Sequence, residues 1–152
     1  MLSHVPVIGV AFAVLVLAAS LALRNSAMGK LGLLILVGLG VATAIVYFTG
    51  EAAEEAVEKL SGVSESIIHE HEEVAEVSFA AMGVGAVLAL GALWWYRRRD
   101  LARWATMASL CVALVITGMM AWTANLGGQV RHTEIRATAG VVDEAREDSD
   151  DR

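Results

Sequence analysis

Four long stretches of the chain contain no charged residue, and they constrain the fold more than any other feature. They cover residues 5–23, 31–48, 77–96 and 104–126. A helix needs roughly 20 mostly apolar residues to cross a bilayer, and each stretch comes close to that length. Only helices and closed barrels satisfy their backbone polar groups in lipid, and these stretches lack the alternating pattern of strands. The sequence therefore predicts an all-α protein, a four-helix transmembrane bundle.

The composition of the 152-residue chain supports this class and argues against others. Hydrophobic residues make up 57% and charged residues 18%, against roughly 45–50% and 25% in soluble domains. A single cysteine and a net charge of -6 disfavour a disulfide scaffold and a nucleic-acid partner. We expect one transmembrane domain over residues 1–136, in contact with the lipid bilayer, and an acidic disordered tail over 137–152.

Lysine and arginine residues predict the orientation of the helices. The connections after the first and third stretches are short, so neighbouring helices should pack antiparallel, in an up-down arrangement. These two connections hold six basic residues, Arg24, Lys30, Arg97, Arg98, Arg99 and Arg103. Close to the membrane on the other side lie only Lys59, Arg131 and Arg136. Because basic residues favour cytoplasmic loops, both termini should lie on the periplasmic side of a bacterial inner membrane.

The connection between the second and third stretches, residues 50–76, has a helical pattern of its own. Its first half places Glu51, Glu54, Glu55 and Glu58 at helical spacing beside small apolar residues. This pattern predicts a short amphipathic helix at the membrane surface. Ser64 then has the character of an N-cap, so a new helix should begin there and continue into the third stretch.

All four histidines, His4, His69, His71 and His132, lie on the predicted outer side. Successive residues of a helix point about 100° apart, which separates the middle pair. His71 shares a face with Ser78, Met82 and Gly85 and should point into the bundle, whereas His69 should point to water or headgroups. The small residues beneath His71 suggest a gap that a flat cofactor could fill. A histidine inside a membrane bundle is costly unless something binds it.

Several short motifs resemble those of a known group of small membrane proteins. They are the His4–Ile8 segment at the start of the first stretch, Thr49-Gly50-Glu51, the His69–Glu73 run, and Gly127–His132. With four spans, the chain resembles an uncharacterised bacterial four-span membrane protein family, domain of unknown function 2231. The resemblance covers most of the chain except the acidic tail. It implies the fold and the membrane location and supplies no established activity.

The histidine pattern suggests a b-type haem protein as the most specific function. Haem iron accepts imidazole as an axial ligand, and bundles place cofactors between facing helices. His71 is the first candidate ligand, opposite His132 or His4, and Arg131 could pair with a haem propionate. No Cys-x-x-Cys-His motif is present, so covalent attachment is excluded. Such a protein would transfer electrons between a membrane quinol and a periplasmic carrier.

Two alternatives remain open at this stage. His69 and Glu73, one helical turn apart, could bind a divalent metal such as zinc, iron or copper. Alternatively, the acidic run is a solvated helix face, and the protein is a structural or accessory subunit of a larger membrane complex or a homo-oligomer. No nucleophile, base and orienting residue come together on one side, which disfavours a catalyst.

Overall fold

A computed structural model describes residues 4–57 and 65–131 of the chain, with the side chains of 4–49 and 70–128. These residues form four α-helices and no strand: α1 (His4–Leu23), α2 (Ser26–Val57), α3 (Glu65–Trp95) and α4 (Arg103–Arg131). Each helix contains a segment long and apolar enough to cross a membrane. The predicted all-α class with four apolar helices is confirmed. The tail over 137–152 lies outside the described residues.

The two-residue connection between α1 and α2 is built from local hydrogen bonds. Arg24 adopts a left-handed backbone conformation, with φ of 51°, and the amide of Asn25 donates to the carbonyl of Ser20 at 3.0 Å. This is the usual way to close the C-terminus of a helix. The side-chain oxygen of Asn25 then accepts hydrogen bonds from the amides of Ala27 and Met28, at 3.0 and 3.2 Å. Asn25 therefore caps α2 and allows the chain to reverse direction sharply.

The predicted separate surface helix after the second apolar stretch is wrong. The backbone of α2 continues without a break through Thr49 and Gly50 to Val57. A glycine inside a helix costs only about 1 kcal/mol relative to alanine, and the Ala and Glu residues that follow favour helix. On the other side of the connection, α3 begins at Glu65 and runs unbroken to Trp95, as the Ser64 pattern predicts.

Each helix packs mainly against two others, with α1 and α3 both lying between α2 and α4, which also meet in a small direct contact. Gly32 of α2 lies against Leu17 of α1, and Gly85 of α3 lies against Ile116 of α4. The buried core consists of aliphatic and small side chains, among them Val10, Ala13, Leu17, Leu33, Leu36, Met82, Ala113 and Ile116. Large apolar side chains also cover the exterior, for instance Ile8, Leu15, Val87 and Leu114. An exterior of this kind suits lipid rather than water.

A close helix contact lies between α2 and α3. A Cβ atom added to Gly40 would stand 2.5 Å from the Cβ of Ala86 and 4.0 Å from the carbonyl oxygen of Met82. Only glycine fits there, since any side chain would force the two backbones apart. Small residues at such crossings allow helices to approach closely in membranes.

The two short connections meet at one end of the bundle, which we call the basic end. The ammonium group of Lys30 donates to the carbonyl of Arg99 at 2.8 Å, and the amide of Leu101 donates to the hydroxyl of Ser26 at 2.7 Å. The opposite end contains the start of α3 and the end of α4, and we call it the histidine end.

Candidate functional site

His71 lies in the second turn of α3, and its imidazole packs against the last turns of α4. A Cβ atom added to Gly127 would stand 3.1 Å from Cε1 of the ring, 3.6 Å from Nδ1 and 3.7 Å from Nε2. The glycine therefore makes room for the ring against the backbone of α4. The inward orientation that helical spacing predicts for His71 agrees with this contact.

One ring nitrogen of His71 has no hydrogen-bond partner among the described residues. The ring is hydrogen-bonded to the backbone of Thr123, while Nδ1 is buried and lacks a partner among these residues. A buried polar atom without a partner costs about 1–3 kcal/mol. Such an atom in a folded protein calls for an explanation, and a bound ligand is one of the usual ones.

A second polar contact joins α3 and α4 two turns further along α3. The hydroxyls of Ser78 and Thr123 are 2.9 Å apart, and Thr123 also donates to the carbonyl of Met119 at 3.0 Å. Ser78 is fully buried. Thr123 thus connects the two helices through its hydroxyl and holds His71 through its carbonyl. We call His71, Ser78, Thr123 and Gly127 the His71 cluster.

The space that the sequence suggests beneath His71 is largely filled in the structure. Met82 is completely buried, and a Cβ atom on Gly85 would stand 2.6 Å from Cδ1 of Ile116. The small residues of α3 therefore allow α4 to pack closely, and side chains of α4 fill the space. The fit of a flat cofactor beneath His71 stays a prediction, because the pattern of one helix does not show which side chains of the partner helix fill the space.

The other predicted ligands are only partly described. His4 is the first residue of α1 and has an exposed side chain. Arg131 ends α4 and His69 lies in α3, but their side chains, like the whole of His132, lie outside the described part. The pairing of His71 with His132 or His4, and the contact of Arg131 with a propionate, stay predictions.

The alternative metal site receives no support from the described side chains. They contain no group of three or more His, Cys, Asp or Glu residues that could bind a metal ion. Glu73 is exposed on α3 and lines an open cavity of about 470 Å³ together with Val77, Gly118 and Trp122. His71 does not line this cavity. The pair formed by His69 and Glu73 stays a prediction.

Sequence analysis missed Thr123, which is central to the cluster. It lies inside an apolar stretch, and a lone threonine there usually bonds to its own helix. One signal was available: Thr123 comes one helical turn before Gly127, so the two residues share a face of α4. No family model, curated protein or solved structure matches the chain, and the resemblance to a four-span family stays a prediction.

Proposed function

We propose that the chain is an integral membrane protein that crosses a bacterial inner membrane as an antiparallel, up-down bundle of four helices. The four apolar helices and the apolar exterior support insertion into lipid. The six basic residues at the basic end favour the cytoplasm for that end. Both termini and the histidine end would then lie on the periplasmic side.

This topology can be tested with reporters. Alkaline phosphatase fused after Arg99 should be inactive, because it folds only outside the cytoplasm, and green fluorescent protein fused there should be fluorescent. The same two reporters fused after residue 140 should show the opposite pattern. Active phosphatase after Arg99 would place the histidine end in the cytoplasm and contradict the proposed periplasmic site.

We propose further that the histidine end binds haem b through His71 and that the protein transfers electrons. The observation that carries this proposal is the buried Nδ1 of His71, which has no hydrogen-bond partner in the described part of the chain. The ring is also hydrogen-bonded to the backbone of Thr123. A metal-ligating histidine characteristically donates its second N–H to a carbonyl or carboxylate.

The donor set at the histidine end fits haem in its chemistry. An imidazole nitrogen without a proton is a suitable axial ligand, and haem supplies a one-electron redox centre when bound. His71 would be one ligand, His132 or His4 the other, and Arg131 would neutralise a propionate. Thr123 would fix the rotation of the His71 ring, and Gly127 would keep the space beside it. Because the interior beneath His71 is filled, the group would bind at the end of the bundle.

The electron-transfer role follows from the location of this site. A redox centre at the periplasmic face could accept electrons from a quinol in the bilayer and pass them to a periplasmic carrier. The exposed carboxylates of Glu72, Glu73 and Glu76 near His71 could take up the protons that quinol oxidation releases.

A second candidate function is that of a structural or accessory subunit without a cofactor. The observation that favours it is the close packing of α3 on α4, with Met82 fully buried. In that case the His71 cluster serves only to join the two helices. Haem content separates the two functions: protein purified from cells supplied with haem should yield about one haem b per chain by the pyridine haemochrome method. A yield near zero would support the accessory subunit instead.

A further inference from the structure

An open groove runs between α3 and α4 in the half of the bundle nearest the basic end. Its volume is about 710 Å³, and its floor includes the buried side chain of Leu36. This volume falls within the range of about 300–1,000 Å³ that is typical of small-molecule sites. A Cβ atom added to Gly91, which lines the groove, would meet nothing within 4 Å. The groove is therefore open to the surroundings of the bundle.

The lining of the groove changes along its length. Gly85, Leu88 and Ala92 line the part that lies deeper in the bundle, while Trp95 and Trp104 line the part at the basic end. Both tryptophans are about two-thirds exposed. Tryptophan favours the boundary between acyl chains and headgroups. The occupant should therefore have an apolar chain and a polar head at the tryptophans.

The charge next to the groove defines the polar head. Tyr96 and Trp104 line the groove, and Arg97, Arg98, Arg99 and Arg103 lie between them in the chain. The guanidinium of Arg97 lies 4.5 Å above the ring of Trp94, and that of Arg99 lies 5.8 Å from the ring of Trp95. Asp100 is the only acidic residue between Tyr96 and Trp104. A negatively charged head is favoured here.

We infer that the α3–α4 groove binds one anionic phospholipid, with an acyl chain along Gly91 and the phosphate at the arginines. Basic pockets between membrane helices recognise anionic headgroups in this way. A second copy of the chain in the same orientation would bring arginines against arginines, and a quinone would not neutralise the positive charge. This inference does not depend on the proposed haem site.

The inference can be tested by fluorescence quenching in a Trp94→Phe, Trp122→Phe background, in which the two remaining tryptophans, Trp95 and Trp104, line the groove. Full-length protein is reconstituted in dioleoyl phosphatidylcholine vesicles with increasing fractions of phosphatidylglycerol that carries brominated acyl chains. Brominated phosphatidylcholine serves as the reference lipid. We expect phosphatidylglycerol to bind about fivefold more tightly, the effect of one basic residue near an anionic head, and high salt to weaken this preference.

Matched variants identify the site. Gly91→Leu should abolish the preference for phosphatidylglycerol over phosphatidylcholine by filling the groove. Arg98→Gln combined with Arg103→Gln should also abolish it, by removing positive charge. Gly118→Leu is the control, since Gly118 also has open space around it but lines the cavity at the histidine end. It should leave the preference unchanged.

Several results would overturn the inference. One is equal binding of the two lipids by the parent protein. Another is a loss of the preference for phosphatidylglycerol in Gly118→Leu that is as large as the loss in Gly91→Leu. Displacement of the lipid by a quinone, with no effect of the arginine substitutions, would assign the groove to a neutral ligand. Dissociation of a dimer by Gly91→Leu would assign it to a second copy of the chain.

Discussion

Replacing Gly40 with leucine should destabilise the bundle more than any other single substitution considered. The added Cβ would stand 2.5 Å from the Cβ of Ala86, far inside van der Waals contact, so α2 and α3 must separate. Overpacking a closely packed site typically costs about 1–3 kcal/mol. We expect the free energy of unfolding to fall by at least about 3 kcal/mol, the upper end of this range. The neighbouring atoms cannot easily move away, because they belong to the helix backbone and to a short side chain.

The measurement is unfolding by sodium dodecyl sulfate, followed by circular dichroism in mixed micelles. Gly38→Leu is the matched control: it lies on the same helix two residues earlier, and an added Cβ there meets nothing within 4 Å. This control should change the free energy of unfolding by no more than about 0.5 kcal/mol. Equal effects of the two substitutions would contradict the close α2–α3 contact.

The second large effect is expected for His71→Ala, which should abolish haem binding. The substitution removes the only described side-chain nitrogen that is buried without a hydrogen-bond partner, and no other side chain of the His71 cluster can ligate iron. The expected result is loss of the Soret band, while the helical circular dichroism is retained. His69→Ala should keep the band if His69 faces away from the bundle, as the helical spacing of the sequence predicts.

Two further measurements keep this prediction independent of folding. Imidazole added to His71→Ala should restore part of the band by occupying the vacated ligand position. Thr123→Val should retain the haem. The hydrogen bond of the His71 ring is to the backbone of Thr123, which the substitution does not remove. An unchanged Soret band in His71→Ala would exclude His71 as a ligand.

The helices could be predicted from the sequence because the apolar stretches are long and carry no charge. The position of His71 could also be predicted, since its face follows from the spacing of Ser78 and Met82 within one helix. The end of α2 could not be predicted from the sequence. A helix that continues beyond the apolar stretch and a separate helix at the membrane surface show the same periodicity of apolar residues.

The surroundings of His71 lay beyond sequence analysis for a different physical reason. Whether the small residues of α3 leave a gap depends on which residues of α4 lie opposite them. The register that brings Ile116 to Gly85 and Thr123 to Ser78 is set by packing between helices. A pattern within α3 therefore indicates which face carries small side chains, but it does not show which side chains of α4 fill the space beside that face.

The most direct test of the central claim, that His71 holds a redox cofactor at the histidine end, is an absorption spectrum. The protein is expressed with haem supply, purified in detergent, and measured in the oxidised state and after reduction with dithionite. We expect a Soret band that shifts on reduction, with sharp α and β bands typical of low-spin haem with two histidine ligands. Identical, featureless visible spectra in the two states, from protein with intact helical circular dichroism, would contradict the haem proposal and favour the accessory subunit.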